Sequence, residues 1–323
     1  MTRSTLRRGL APAATVLALT LGLAACGGSS NDSGGGSGAN ADLTGAVRID
    51  GSSTVAPLSS VAAELFADEA PKVNVTVGTS GTGGGFEKFC NGETDANDAS
   101  REIKDTESAA CAAKGIEYTA LQVAVDALTV VVNTENTWAK CLTTEQLKKI
   151  WEPNSTVNNW NQVDASFPDV KLELFGAGTD SGTFDYFTKE INGEEGASRT
   201  DYNPSEDDNV TVKGVEGSKG GLGYFGFSYF EENADKLTAV EIDSGSGCVA
   251  PSVETAQDGT YTPLARPLFI YPSKKSVTEN AAVKAFFDFY VANDEQIAEE
   301  AQFIPLNADQ VDTLKSDWAA FAG

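Results

Sequence analysis

The sequence predicts a two-lobed α/β protein built on mostly parallel sheets. Strand-like and helix-like segments alternate from Leu43 to the end of the chain, a pattern typical of βα units. A long β-favouring stretch, Leu121–Val132, and a second segment, Pro263–Pro267, are placed to cross between two lobes. Two crossing segments predict a hinged clamshell, with the ligand in the cleft at the carboxyl ends of the strands.

Alternation, helical spacing and capping signals place the elements along the chain. Alternating valines predict a strand at Val73–Val77, and apolar residues at helical spacing predict a helix over Pro57–Glu69. Thr143 and Gln146 have capping-box spacing, which predicts a helix that ends near Ile150. The other predicted segments are strands at Val47–Asp50, Ile116–Asn133, Lys171–Phe175, Gly220–Gly226 and Leu268–Tyr271, and helices at Phe86–Cys90, Phe184–Ile191, Val283–Val291 and Ala308–Phe321.

Composition excludes several functional classes. The 323 residues are 41% hydrophobic, enough for a large core and about two domains. The net charge of −24 argues against nonspecific binding to nucleic acid or to an anionic membrane surface. The chain has no histidine, which removes Ser-His, Cys-His and imidazole-metal sites. Binding proteins, carboxylate chemistry, Ca²⁺ or Mg²⁺ sites and structural roles remain.

The first 42 residues have the layout of a lipoprotein leader and tether. Three arginines precede an apolar run from about Leu10 to Ala25, which is short for a transmembrane helix and typical of a secretory signal, residues 1–25. Leu23 to Cys26, followed by glycine, resembles a bacterial lipobox in which Cys26 carries lipid such as palmitate. The alternative is an ordinary cleaved signal. Residues 26–42 then form a Gly/Ser tether. The expected location is the outer face of the cytoplasmic membrane.

The other four cysteines suit an oxidising compartment. They are even in number, as expected for disulfide-bonded cysteines, and can form two disulfides in three alternative arrangements. The four are Cys90, Cys111, Cys141 and Cys248. We favour Cys90–Cys111 and Cys141–Cys248, because the first two are close in sequence. A zinc site is the rival interpretation, but CxxC spacing and histidine ligands are both missing from the sequence.

Three segments share one design: a strand, a turn of small hydroxyl and glycine residues, and a helix start. Such a turn offers backbone N–H donors and hydroxyls to a tetrahedral oxyanion, although each one alone also fits an ordinary helix cap. None continues as a Walker A motif, so a nucleotide with Mg²⁺ is not expected, and we predict no cofactor. The segments are 50–55 (DGSSTV), 78–85 (GTSGTGGG) and 176–183 (GAGTDSGT).

Arg101 is the candidate cation for such an anion. Basic residues are scarce, and Arg101 follows a short segment that has the features of a strand end. A guanidinium binds an oxyanion with two parallel hydrogen bonds. The alternative is an ion pair with one of the many carboxylates.

Five motifs, in this order, resemble the phosphate-binding lipoproteins (PstS type) of high-affinity phosphate ABC importers, which have the type II periplasmic-binding-protein fold. They are DGSSTV at 50–55, TSGTGGGF at 79–86, NDASREIK at 97–104, GTDSGTFDYF at 178–187 and GLGYFGFSYF at 221–230. The resemblance spans nearly all of the chain beyond the leader.

The resemblance implies a set of phosphate-binding residues from both lobes, with Asp180 as an acceptor for a phosphate proton. Many members have arginine where this chain has Ala177 and aspartate where it has Arg101, so the guanidinium is expected on the opposite lobe. The implied set is Ser53, Thr54, Val55, Ser80, Thr82, Arg101, Asp180, Ser181, Gly182 and Thr183.

The resemblance also implies the organisation and partners of the protein. Lobe I is expected to comprise residues 43–125 and 263–323, and lobe II residues 126–262. The expected protein is a monomeric, lipid-anchored receptor that captures inorganic phosphate for the permease subunits of an ABC importer. The alternatives are a receptor for another tetrahedral oxyanion such as sulfate, a phosphatase, and a purely structural surface lipoprotein. Without histidine or an evident nucleophile, an enzyme is not expected.

Overall fold

The computed structural model describes residues 40–179 and 181–323. The predicted leader, the lipidation site Cys26, most of the tether and Asp180 lie outside the described residues. The described residues pack as one compact unit, so the bounds of the two lobes stay a prediction. None of the helices within the described ranges is long and apolar enough to cross a membrane.

Strands and helices alternate along the chain, as predicted. The strands are β1 Gly45–Gly51, β2 Val73–Val77, β3 Ala96–Ala99, β4 Leu121–Asn133, β5 Cys141–Thr143, β6 Glu173–Ala177, β7 Asn203–Ser205, β8 Gly221–Gly226, β9 Leu237–Ala239, β10 Glu241–Asp243, β11 Cys248–Val249 and β12 Ala265–Pro272. The helices are α1 Ala56–Glu69, α2 Gly81–Cys90, α3 Asp105–Ala113, α4 Thr144–Trp151, α5 Trp160–Val163, α6 Gly182–Phe187, α7 Asp208–Glu216, α8 Phe227–Glu231, α9 Val253–Gln257, α10 Lys274–Glu279, α11 Ala281–Ala292, α12 Asp294–Glu300 and α13 Ala308–Ala322. A π-helical turn, Thr188–Asn192, continues α6.

Local signals account for the starts of two predicted helices, α1 and α4. Thr143 Oγ1 accepts the Gln146 N–H at 3.0 Å, and the Gln146 side chain accepts the Thr143 N–H at 2.9 Å, so the capping box at α4 is formed. Proline stands in the first turn of α1. Leu58 and Phe66 lie on its buried face.

The main sheet has nine strands in the order β2-β1-β3-β12-β4-β8-β6-β7, with β9 also paired to β4. The strands β1, β2 and β3 are parallel, as are β6, β7 and β8. Between these groups, β4 and β12 run antiparallel to their neighbours. The expectation of mostly parallel sheets is therefore corrected: the sheet is mixed, because the two crossing strands return through its middle.

The apolar interior contains two large clusters joined by the crossing strands. Core I consists of buried side chains between Val47 and Ala124 and between Leu268 and Trp318. Core II consists of buried side chains between Leu128 and Leu264. Strand β4 passes from one to the other with twelve of its thirteen residues buried, and β12 lies beside its first half. These are the two crossing segments that the sequence predicted.

Both favoured disulfides are present. Cys90–Cys111 joins the end of α2 to α3. Cys141–Cys248 joins β5 to β11 within a small second sheet, ordered β11-β10-β5. The cysteines are therefore bonded to each other, and the rival zinc interpretation does not apply to them.

Candidate functional site

A cavity of about 380 Å³ lies between the core I and core II sides of the molecule. The turns after β1 and β2 and the loop after β3 form one wall, and α6 with the segment after it forms the other. Strand β12 contributes one residue between the walls. The cavity is lined by Ser52, Ser53, Thr54, Ser80, Gly81, Thr82, Gly83, Gly84, Ser100, Arg101, Lys104, Gly182, Asp185, Tyr186, Lys189, Glu195 and Arg266.

The charge of this lining is opposite to that of the protein. Four cations, Arg101, Lys104, Lys189 and Arg266, face two carboxylates among the described lining residues, whereas the whole chain carries −24. Because charges inside a cleft are less screened than charges on an open surface, this local excess favours an anionic ligand.

The turn after β1 brings two of the predicted hydroxyls to the cavity. Ser53 is exposed there, and Thr54 Oγ1 accepts a hydrogen bond from Arg266 Nη2 at 3.1 Å. The Thr54 hydroxyl keeps its own proton for donation to a ligand. Val55 is placed differently: its side chain is fully buried, and its N–H donates to the Ser52 carbonyl at 3.2 Å.

The turn after β2 is fastened to the first turn by Asp50. Its carboxylate accepts the Ser80 N–H at 2.9 Å, the Ser80 hydroxyl at 2.6 Å and the Lys88 ammonium at 2.6 Å. Burial acts to raise the pKa of Asp50, but the hydrogen bonds from Lys88 and Ser80 outweigh it and lower the pKa to about 2. Ser80 therefore lines the cavity, but its backbone N–H and its hydroxyl both donate to Asp50.

Thr82 lies in the first turn of helix α2 and connects it to the loop after β3. Its Oγ1 accepts the Ser100 N–H at 3.2 Å and lies 3.2 Å from the Ser100 hydroxyl. Ser100 also lines the cavity, so this pair places two hydroxyls beside each other on the core I wall.

The glycines of the second turn belong to a helix. The sequence predicts a turn up to Gly85 and a helix only from Phe86, but α2 already begins at Gly81. A Cβ on Gly85 would lie 2.0 Å from Asn97 Oδ1 and 2.5 Å from Gly51 Cα. Glycine is required there because the helix packs directly on β1 and β3, and this contact outweighs the poor helix propensity of glycine.

The third turn approaches the first across the cleft. Ser181 caps α6 by accepting the Thr183 N–H at 3.1 Å. A Cβ on Gly182 would lie 3.0 Å from Thr54 Oγ1, so the two walls nearly touch at this point. Thr183 lies apart from the predicted set, on a second cavity of about 160 Å³ that also contains Asp126.

Arg101 fits both interpretations that its sequence context allowed. It lines the cavity, and it forms a two-point ion pair with Glu107 of α3, with both N–O distances at 2.8 Å. Its Nη1 also donates to the Glu102 carbonyl at 3.0 Å. Among the described residues, Nε and one N–H of Nη2 have no hydrogen-bond partner, which leaves one edge of the guanidinium available to an anion.

Arg266 is a functional candidate that the sequence patterns do not single out. It belongs to β12, lines the cavity and pairs with Asp126. Two features of the sequence could have indicated it: Arg266 is one of only four arginines after residue 42, and it lies in the predicted crossing segment Pro263–Pro267.

Two carboxylates also line the cavity, both on the core II side. Burial and the negative charge of Glu195 raise the pKa of Asp185, and Arg266 opposes them. Asp185 therefore holds a proton at a higher pH than an exposed aspartate does.

The fold and the cleft together define a substrate-binding protein of the clamshell type. The PBP superfamily domain matches residues 36–294. Protein SphX of Synechococcus elongatus is 49% identical over 265 residues, which cover 81% of this chain and 78% of SphX. Phosphate-binding protein PstS of Staphylococcus haemolyticus is 40% identical over 291 residues, 90% of each chain.

A solved structure has the same fold. The possible phosphate binding protein from Planctomyces limnophilus superposes with a TM-score of 0.83 at 46% identity, and the match covers 87% of this chain and 100% of that one. The chain therefore belongs to the PBP superfamily, in the family of substrate-binding proteins that includes PstS and SphX.

Proposed function

We propose that this protein captures inorganic phosphate in the cleft and delivers it to the permease subunits of an ABC importer. The observation that carries the proposal is the cavity itself, which collects hydroxyls from two turns and two arginines in a strongly acidic chain. Relatives that bear the name phosphate-binding protein PstS match nearly the whole chain, which supports the same ligand.

The proposed phosphate site uses residues from both walls. Ser53, Thr54, Thr82 and Arg101 act from the core I side and Gly182 from the core II side. Ser80 acts after exchanging its bond to Asp50 for one to phosphate, and the backbone N–H of the buried Val55 acts after giving up its bond to the Ser52 carbonyl. The proposed set also includes Asp180, Ser181 and Thr183 from the lobe II side.

The test begins with removal of bound ligand by unfolding and refolding in phosphate-free buffer. Titration calorimetry with phosphate, sulfate and nitrate then measures selectivity. Saturable binding of phosphate with at least tenfold preference over sulfate is expected, because a carboxylate acceptor rejects an anion that carries no proton. Preference for sulfate, or no binding of either anion, would contradict the proposal.

We propose capture without chemical conversion. The chain has no histidine, so no hydroxyl among the described lining residues has a general base of the Ser-His kind beside it. Incubation with a chromogenic phosphate ester tests this directly, and turnover that survives repurification would assign an enzyme instead.

We further propose that the protein is a monomer anchored through lipid on Cys26, with lobe I at 43–125 and 263–323 and lobe II at 126–262. The lipobox-like sequence supports the anchor. Wild-type protein should partition into the detergent phase and the Cys26→Ser variant into the aqueous phase, with equal phosphate binding. Wild-type protein in the aqueous phase would refute the anchor while leaving the receptor function intact. Light scattering tests the monomer.

A further inference from the structure

Arg266 stands where the two crossing strands meet the cavity. In the antiparallel pairing of β12 with β4, Arg266 is directly opposite Asp126. The side chains of these two residues are 15% and 10% exposed, so the ion pair is largely withdrawn from water. Arg266 nevertheless lines the cavity.

Three contacts hold the guanidinium of Arg266 in one orientation. Its Nε and Nη2 lie 3.1 and 3.0 Å from Asp126 Oδ2. Its Nη2 also donates to Thr54 Oγ1 at 3.1 Å. Its Cζ lies 3.6 Å from the centre of the Tyr186 ring, within the range of a cation–π contact. The Tyr186 hydroxyl is itself bonded to the Pro263 carbonyl at 2.8 Å.

These contacts use only part of the donor capacity of the guanidinium. The guanidinium has five N–H groups. The N–H of Nε and one N–H of Nη2 face Asp126, and the other N–H of Nη2 donates to Thr54. The two N–H groups of Nη1 have no hydrogen-bond partner within the described ranges 40–179 and 181–323. Because a guanidinium can donate to an anion while its other N–H groups stay bonded, and this side chain borders the cavity, the cavity is where a partner for Nη1 would bind.

We propose that Arg266 is an anion-binding residue that donates Nη1–H to the ligand, with Asp126 and Tyr186 as the positioning residues that aim it. The proposal rests on the proposed function, since the anion is taken to be phosphate. It assigns the second guanidinium of the site to a crossing strand instead of to either wall. Through Thr54 and Tyr186, this one residue touches the turn after β1 and helix α6, so it contacts both sides of the cleft.

A structural ion pair with no ligand role is the competing account, and substitutions separate the two. Ligand-free Arg266→Lys and Arg266→Gln proteins are titrated with inorganic phosphate by calorimetry, and their melting temperatures are recorded. The control is Arg48→Lys, because Arg48 also bonds an aspartate with two nitrogens, at 3.2 Å each, but is absent from the cavity lining.

We expect the Kd for phosphate to rise at least about tenfold in Arg266→Lys, which keeps the charge but loses the planar fork, and further in Arg266→Gln. The control should stay within about twofold. A folded Arg266→Lys protein that binds phosphate within about threefold of wild type overturns the inference. Should Arg266→Gln fail to fold because Asp126 is left buried and unpaired, the Asp126→Asn, Arg266→Gln double variant removes both charges and is judged by the same criterion.

Failure of the inference is distinguishable from failure of the proposed function. If wild-type protein does not bind phosphate, the proposed function is wrong. If wild-type protein binds and only substitution at Arg101 weakens binding, the function stands and Arg266 is structural.

Discussion

Replacing Arg101 with alanine should weaken both the fold and the binding of phosphate, and the structure allows the two effects to be estimated separately. The end of the guanidinium is bonded to Glu107 and to the Glu102 carbonyl. Its other edge, Nε and one N–H of Nη2, is the part available to a ligand. Nη2 lies 3.8 Å from the position that a Cβ on Gly83 would occupy, beside the second turn.

The loss of stability follows from the partly buried ion pair. The Arg101 and Glu107 side chains are 25% and 17% exposed, so the contribution of this ion pair to stability lies between two limits. An exposed ion pair contributes about 0–1 kcal/mol, and a buried hydrogen bond to a charged group contributes about 1.5–3 kcal/mol. We expect Arg101→Ala to cost about 2 kcal/mol, or roughly 4–8 °C in melting temperature. Loss of a two-point contact to phosphate should raise the Kd by about 10- to 100-fold.

Calorimetry measures both quantities on ligand-free protein. Scanning calorimetry gives the melting temperature, and titration with phosphate gives the Kd. The Glu107→Gln variant is the matched control, because it loses the same ion pair while keeping Arg101. It should lose similar stability but bind phosphate within about threefold of wild type. An Arg101→Ala protein that also binds within threefold would refute Arg101 as a ligand and leave it as the partner of Glu107.

Three further predictions concern the ligand, a buried acid and a close helix contact. Phosphate at ~100 times its Kd should stabilise the protein by about 2.7 kcal/mol, so a scan without any shift in melting temperature contradicts binding. Burial, opposed by the Ser59 hydrogen bond, raises the pKa of Asp98 from 3.8 to about 8. The stability that protonated Asp98 contributes is therefore fully present below about pH 4 and is lost as the pH rises to 8. Asp98→Asn should reduce the change of the free energy of unfolding with pH by up to about 1.4 kcal/mol per pH unit. If the melting temperature varies with pH in the variant as it does in the wild type, the raised pKa of Asp98 is refuted. Gly85→Ala should lower the free energy of unfolding by about 1–3 kcal/mol. The control is Gly226→Ala, whose methyl group meets no described atom within 4 Å and which should leave stability unchanged. Equal melting temperatures of the two variants would contradict the packing argument.

Local patterns in the sequence predicted most of the helices and strands and several residues that line the cavity. The strand at Val73–Val77 and the capping box at Thr143 and Gln146 were predicted as they occur, because alternation and capping act between residues that are neighbours in sequence. The favoured disulfide pairing also matches the structure. Ser53, Thr54, Ser80, Thr82, Arg101 and Gly182 of the predicted site line one cavity.

Contacts between distant segments decided the rest. The start of α2 at Gly81 depends on strands that approach within contact distance of its glycines, and the antiparallel pairings in the middle of the sheet depend on where β4 and β12 return. Thr183 carries a predicted motif but faces a different cavity, since α6 turns it away from its sequence neighbours.

Arg266 is the clearest case of what only the tertiary structure decides. It meets Thr54 across 212 positions of sequence and Asp126 across 140. No periodicity or spacing encodes such a meeting, because it arises when two crossing strands pair and bring their side chains to one edge of the cleft. The sequence determined that the chain carries three turns of small hydroxyl and glycine residues and few arginines. The pairing of β4 with β12 determined that one of those arginines, Arg266, reaches the first turn.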